Sequence, residues 1–225
     1  MMAASRDASN PLAGLKDVQA GGAKLPPVHL WNPPFCGDIG MRIAADGTWY
    51  YLNSPIGRKP LYTLFSRVLR KDGDDYFLVT PVEKCGITVD DAPFIAIRMA
   101  VTGEGRSQTI VFETNCDDEV TVDADHPLRF ATEAGTGGLK PYVLVRANLD
   151  ALVVRALFYD LVAKGTQEGE WFGVWSGGSF FPMQRASEIG LVPCPRPSAR
   201  PTCWSAPHPA CCARRRRHGM PATMT

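Results

Sequence analysis

The sequence predicts an α+β protein of two small β-rich units, and three observations carry that expectation. Short alternating or aromatic-rich runs such as "DIGMRIA" and "YFLVT" dominate residues 25–147. Turn signals separate them, above all Asp46-Gly47 and the pair Gly103 and Gly105. Two stretches repeat apolar residues at helical spacing, one beginning at Leu61 and one at Leu149.

In chain order, residues 1–24 are small and polar, an N-terminal extension with room for one short helix. "LPPVHLWNPPFCGDIG" is extended and Pro-rich, anchored by Trp31 and Phe35. "DIGMRIA" puts Ile39, Met41 and Ile43 on one face, and the Asp46-Gly47 turn leads into the aromatic strand "WYY". Leu61, Leu64, Phe65, Val68 and Leu69 then form one helical face. Pro60 stands in the first turn, where its missing N–H costs nothing. "KDGDD" turns the chain, and "YFLVT" and "KCGITV" read as strands, giving a β-β-α-β-β unit over residues 25–92.

Residues 93–183 form the second unit. "FIAIRMAVTGEGRSQTIVFET" is a strand pair, "EVTVDADHPLRFA" gives two shorter strands, "GTGG" is a loop and "YVLVR" another strand. Asn148 is placed to cap a helix over 148–164, ended by Gly165. "EWFGVWSGGSFFPM" is an aromatic extended segment. The simplest arrangement is a bent antiparallel sheet closed by one C-terminal helix. "DDAPF" is too short and apolar to act as a flexible linker between the units.

The net charge of +1 is unevenly spread: residues 184–225 carry seven Arg and one Glu, a net +6, which leaves −5 on residues 1–183. An acidic body argues against nucleic-acid binding through it, because phosphate contacts need concentrated Lys and Arg. No apolar run approaches the roughly 20 residues that span a bilayer, and the N-terminus lacks an apolar signal-peptide core, so the expected location is cytoplasmic, without membrane contact.

Residues 184–225 change style. They are dense in Pro, Arg, Ala and Cys, have no apolar periodicity, and hold four of the seven cysteines. The expectation is a disordered segment with the composition of a GC-rich gene read in the wrong frame. A genuine basic arm on Arg214–Arg217 is an alternative, as is a zinc site from Cys194, Cys203, His208 and Cys211, although no Cys-x-x-Cys knuckle supports the latter.

Chemistry concentrates in "NSPIGRKP". Ser54 and Gly57 lie in a loop stiffened by Pro55 and Pro60, and Arg58 and Lys59 stand at a helix start, where side-chain charge and helix dipole both favour an anion. Arg98, Arg129 and Arg146 lie on or beside strands of the second unit and would complement Arg58 if they faced a cleft between the units; the planar guanidinium binds phosphate or carboxylate bidentately. The alternative for Arg58 and Lys59 is that both charges are solvated or pair with the acidic body, for example with Glu83. Asp74-Asp75, Asp90-Asp91 and Asp117-Asp118-Glu119 sit beside predicted turns, where Asp bonds its own backbone rather than forming a catalytic dyad. His126 is held extended by Pro127, and no Gly-x-Ser-x-Gly elbow accompanies it. Cys36, Cys85 and Cys116 are too scattered to suggest a metal site. No catalytic residue, metal or cofactor is assigned.

Trp31 with Pro33 or Pro34, "DGTWYY", "SPIGRKPLYTLFSRVLR", "LVTPVEK", "HPLRF", "PYVLVRANLDALVVRALFYDLV" and "SGGSFFPM" together resemble a bacterial family catalogued as domain of unknown function 1285, over residues 28–183. Where the family pattern has a His after "DGTWY", this chain has Tyr51. The resemblance implies that the second unit is similar to a pleckstrin-homology-like barrel with its C-terminal helix. It also implies a nucleotide-like ligand between the units and a signalling or stress role. The leading expectation is therefore non-enzymatic binding of an anionic, nucleotide-like or phosphorylated small molecule. An enzyme using the same cleft, with Arg58 as clamp and His126 or Glu83 as acid/base, is the alternative. A protein-interaction module presenting a sheet edge is the third reading.

Overall fold

Fifteen strands and two α-helices arrange the described chain into three sheets. The structure, a computed structural model, describes residues 25–133 and 135–189. These fall within one compact unit, Met1–Pro193. The expectations for residues 1–24 and for most of the tail, including its zinc alternative, lie outside the described residues.

The first sheet combines β1 (Phe35–Ile43), β2 (Trp49–Tyr51), β3 (Ser54–Pro55), β4 (Leu69–Asp72), β5 (Asp75–Val79) and β6 (Lys84–Val89) in the order β3-β2-β1-β6-β5-β4. Neighbours are antiparallel except β1 and β6, which run parallel. The β1–β2 turn forms as the sequence predicts. Gly47 is required there twice over: its φ is +81°, and a Cβ would stand 2.4 Å from Ile95 Cγ1.

Helix α1 (Lys59–Arg67) follows β3 and is shorter than its apolar spacing suggests. Val68 and Leu69 fit the helical face, yet Val68 is the C-cap and Leu69 begins β4, where it pairs with Leu78. Both are buried all the same. Phe65 faces inward and stacks on Trp49 with ring centroids 6.1 Å apart.

The second sheet holds β7 (Phe94–Thr102), β8 (Thr109–Thr114), β9 (Glu119–Thr121), β10 (Leu128–Thr132), β11 (Leu139–Arg146) and β12 (Leu149–Val153), ordered β10-β11-β12-β7-β8-β9. Its single parallel contact is β12 with β7. Here the structure corrects the expected helix over 148–164. Residues 149–153 are a strand with Leu149, Ala151 and Val153 buried, and α2 covers only Arg155–Ala163. Leu149, Leu152 and Val153 satisfy either period, and the open slot between β11 and β7 decides for the strand. Asn148 caps no helix: its side-chain amide donates to the Lys71 carbonyl at 3.1 Å.

Nor does α2 close the chain. Three further strands, β13 (Thr166–Glu168), β14 (Trp171–Ser176) and β15 (Ser179–Arg185), form a third, antiparallel sheet. The aromatic segment is thus a hairpin. At Gly173 a Cβ would stand 2.3 Å from the Phe181 carbonyl oxygen, so only glycine allows the strands to approach there. β15 also carries the ordered body past Met183. Gln184 and Arg185 pair with Phe172 and Trp171, and Ala186 is buried and donates its N–H to the Glu170 carbonyl. Residues 184–186 therefore belong to the fold, against the expectation that disorder begins at 184.

One apolar cluster runs through both expected units, from Met41, Trp49 and Phe65 to Phe94, Phe112 and Val174. Polar ties cross the same boundary. The Asn115 amide donates to the Gly47 carbonyl, and Lys140 and Tyr142 both reach Asp91. Among the described residues no helix is long and apolar enough to cross a membrane.

Candidate functional site

α1 presents Lys59, Thr63 and Arg67 at i, i+4 and i+8, which places them in one stripe along the helix. With Pro60, Leu64 and Asp117 from the β8–β9 turn they line an open groove of about 430 Å³. Lys59 Nζ donates to Asp117 Oδ1 at 2.6 Å across it, with side chains 48% and 55% exposed. That hydrogen bond to the carboxylate holds the Lys59 ammonium above its ordinary value. Thr63 also lines the groove, and its hydroxyl oxygen has no hydrogen-bond partner among the described residues.

The helix start offers less backbone than its sequence suggests. Pro60 has no N–H, and the Leu61 and Tyr62 N–H groups turn back onto the Arg58 carbonyl at 3.0 and 3.3 Å. An anion there would be held mainly by side chains.

Of the seven residues singled out by sequence, only Lys59 lines the groove. Ser54, Gly57 and Arg58 are exposed nearby in sequence, Ser54 in the edge strand β3 and Arg58 as the helix N-cap. The three strand arginines do not converge as free cations. Arg98 meets Glu113 at 3.0 Å, Arg129 meets Asp150 at 2.7 Å, and Arg146 meets Asp118 at 2.8 Å. Arg146 also donates to the Ser66 carbonyl at the end of α1, with its guanidinium 4.7 Å from the Phe94 ring centroid. It ties α1 to the second sheet.

The acidic pairs diverge. Asp117 faces Lys59 while Asp118 faces Arg146, and Asp90 binds Arg42 while Asp91 binds Lys140 and Tyr142. Asp123 forms a turn: its Oδ1 accepts the N–H groups of Asp125 and His126, and the His126 ring lies 3.3 Å away. Cys85 and Cys116 are buried, and desolvation pushes their thiols to about 11 and about 12. No cluster of metal-ligating side chains occurs among the described residues.

Sequence reasoning missed a second concavity. The β10–β11 hairpin, β12 and the start of α2 enclose about 420 Å³ with largely apolar walls and Glu133, Lys140 and Arg155 among the lining side chains. Its residues are drawn from 133 to 159, so no local motif announces it.

Over the described residues these features define a β-rich fold with two α-helices and a groove along the first of them. Residues 26–92 match the N-terminal domain model of DUF1285, a domain of unknown function, and residues 93–183 match the C-terminal domain model of the same family. The chain belongs to the DUF1285 family. It is similar to the crystal structure of a DUF1285 family protein from Silicibacter pomeroyi DSS-3, with 48% identity, a TM-score of 0.74, and coverage of 79% of this chain and 97% of that one. A DUF1285 family protein from Shewanella baltica OS155 is 25% identical, with a TM-score of 0.46 and coverage of 56% of this chain and 91% of that one. No curated protein matches the sequence.

Proposed function

We infer that this chain is a non-enzymatic, cytoplasmic binding protein that takes an anionic small molecule, phosphorylated or nucleotide-like, in the α1 groove, in a signalling or stress role. The observation that carries the reading is the exposed Lys59–Asp117 pair across a groove whose far end is lined by Arg67. An ion pair this exposed contributes little to stability, so a ligand anion replaces Asp117 at Lys59 at small cost. Exposed Arg58, the N-cap residue beside Lys59, adds positive charge at the start of the helix.

A thermal-shift series with inorganic pyrophosphate and nucleoside phosphates tests this. Binding raises the melting temperature by mass action, and the double substitution Arg58→Ala, Lys59→Ala abolishes the rise. No shift with any of these anions, or an undiminished shift in the double variant, contradicts the reading.

A further inference from the structure

The second cavity has a different chemistry from the α1 groove. Leu139, Leu152 and Phe158 form apolar wall, and about 420 Å³ lies within the range of small-molecule sites. Two opposite charges line it without bridging each other. Arg155 makes one side-chain hydrogen bond, Nε to the Tyr159 hydroxyl at 3.0 Å, and its two terminal nitrogens have no partner among the described residues. Arg42, Arg70, Arg98, Arg106, Arg129, Arg146 and Arg185, by contrast, each meet a carboxylate.

Glu133 is held in place by the Thr136 hydroxyl at 2.6 Å and by Lys140 at 3.3 Å. Those hydrogen bonds hold its carboxyl below the usual range, so it is ionised at neutral pH. Its charge is felt at Arg155, yet the two form no ion pair. Lys140 is engaged with Asp91 as well, at 3.0 Å, and supplies no free cation. The lining is therefore nearly balanced in charge, which disfavours a simple anion or cation. It suits a ligand that carries both charges on one end and an apolar body on the other.

We propose that the cavity between the β10–β11 hairpin, β12 and α2 binds a free α-amino acid with a large apolar side chain. Its carboxylate meets the fork of Arg155, its ammonium meets the open lone pairs of Glu133, and its side chain lies against Leu139, Leu152 and Phe158. A carboxylate has about four lone-pair sites, so Glu133 accepts an ammonium without releasing Thr136 or Lys140. The planar guanidinium gives the carboxylate a bidentate partner.

Calorimetric titration of the full chain with L-phenylalanine and L-leucine tests this, with phenethylamine and 3-phenylpropionate as single-charge analogues. At least one amino acid binds, and for L-phenylalanine each analogue is weaker by about tenfold or more, because each leaves one charged partner unmatched. Arg155→Gln weakens amino-acid binding by a similar factor and leaves phenethylamine unaffected; Glu133→Gln does the converse with 3-phenylpropionate. Arg155 is exposed, so its variant tests recognition rather than folding. Lys59→Ala leaves amino-acid binding unchanged, which separates this site from the α1 groove. Absence of binding by both amino acids, equal binding of the analogues, or indifference to Arg155→Gln overturns the proposal.

Discussion

Arg146 and Asp118 meet at 2.8 Å with side chains only 18% and 24% exposed, whereas Asp117, one residue earlier, meets Lys59 at 2.6 Å with more than twice that exposure. Adjacent carboxylates on one turn thus face two cations in different solvents. Arg146, anchored by Asp118, also donates to the Ser66 carbonyl and so fixes α1 to the second sheet. The Lys59–Asp117 pair is exposed enough to exchange with a ligand.

Arg146→Ala leaves Asp118 without its ion-pair partner, removes a donor from the Ser66 carbonyl and strips the cation from the Phe94 ring. The expected loss is about 2–4 kcal/mol, read from urea unfolding. Lys59→Ala leaves the unfolding midpoint nearly unchanged, since its pair is exposed to solvent.

Alkaline pH weakens the fold. Burial raises Cys116 from 9.0 to about 12 and Cys85 from 9.0 to about 11. Burial, then the hydrogen bond to Asp91, raises Tyr142 from 10.0 to about 12. The folded protein holds these protons more tightly than the unfolded chain. Their contribution is complete below the unfolded values and is lost as the pH rises towards the folded ones. Urea midpoints measured from pH 8 upward stay level to about pH 9 and then fall; a flat profile to pH 11 contradicts this assignment.

Much of the fold was legible in local sequence. Asp46-Gly47 announced the first hairpin, and Pro60 marked the start of α1. Strand β12 was hidden because Leu149, Leu152 and Val153 fit both periods, and only the neighbours β11 and β7, distant in sequence, settle the choice. The site was less legible for the same reason. Lys59, Arg98, Arg129 and Arg146 looked available, but each finds its carboxylate at least 15 residues away. The composition change near Gln184 was real, yet the hydrogen-bonding reach of β15 extends beyond it.

Truncation tests that last boundary. A chain ending at Met183 loses the pairing of Gln184 and Arg185 with β14 and the buried Ala186, whose N–H bonds Glu170. It should be less stable than a chain ending at Ile189 by about 1–3 kcal/mol, the worth of two or three such bonds. Equal melting of the two chains would show that β15 needs nothing beyond Met183.

The central claim is that the Lys59–Asp117 pair marks an anion site. Calorimetric titration of inorganic pyrophosphate into the wild-type protein and into Asp117→Asn tests it most directly. Removing the competing carboxylate frees Lys59, so the account predicts tighter binding by about two- to fivefold in the variant. Binding that weakens, stays the same or is missing from both proteins contradicts it.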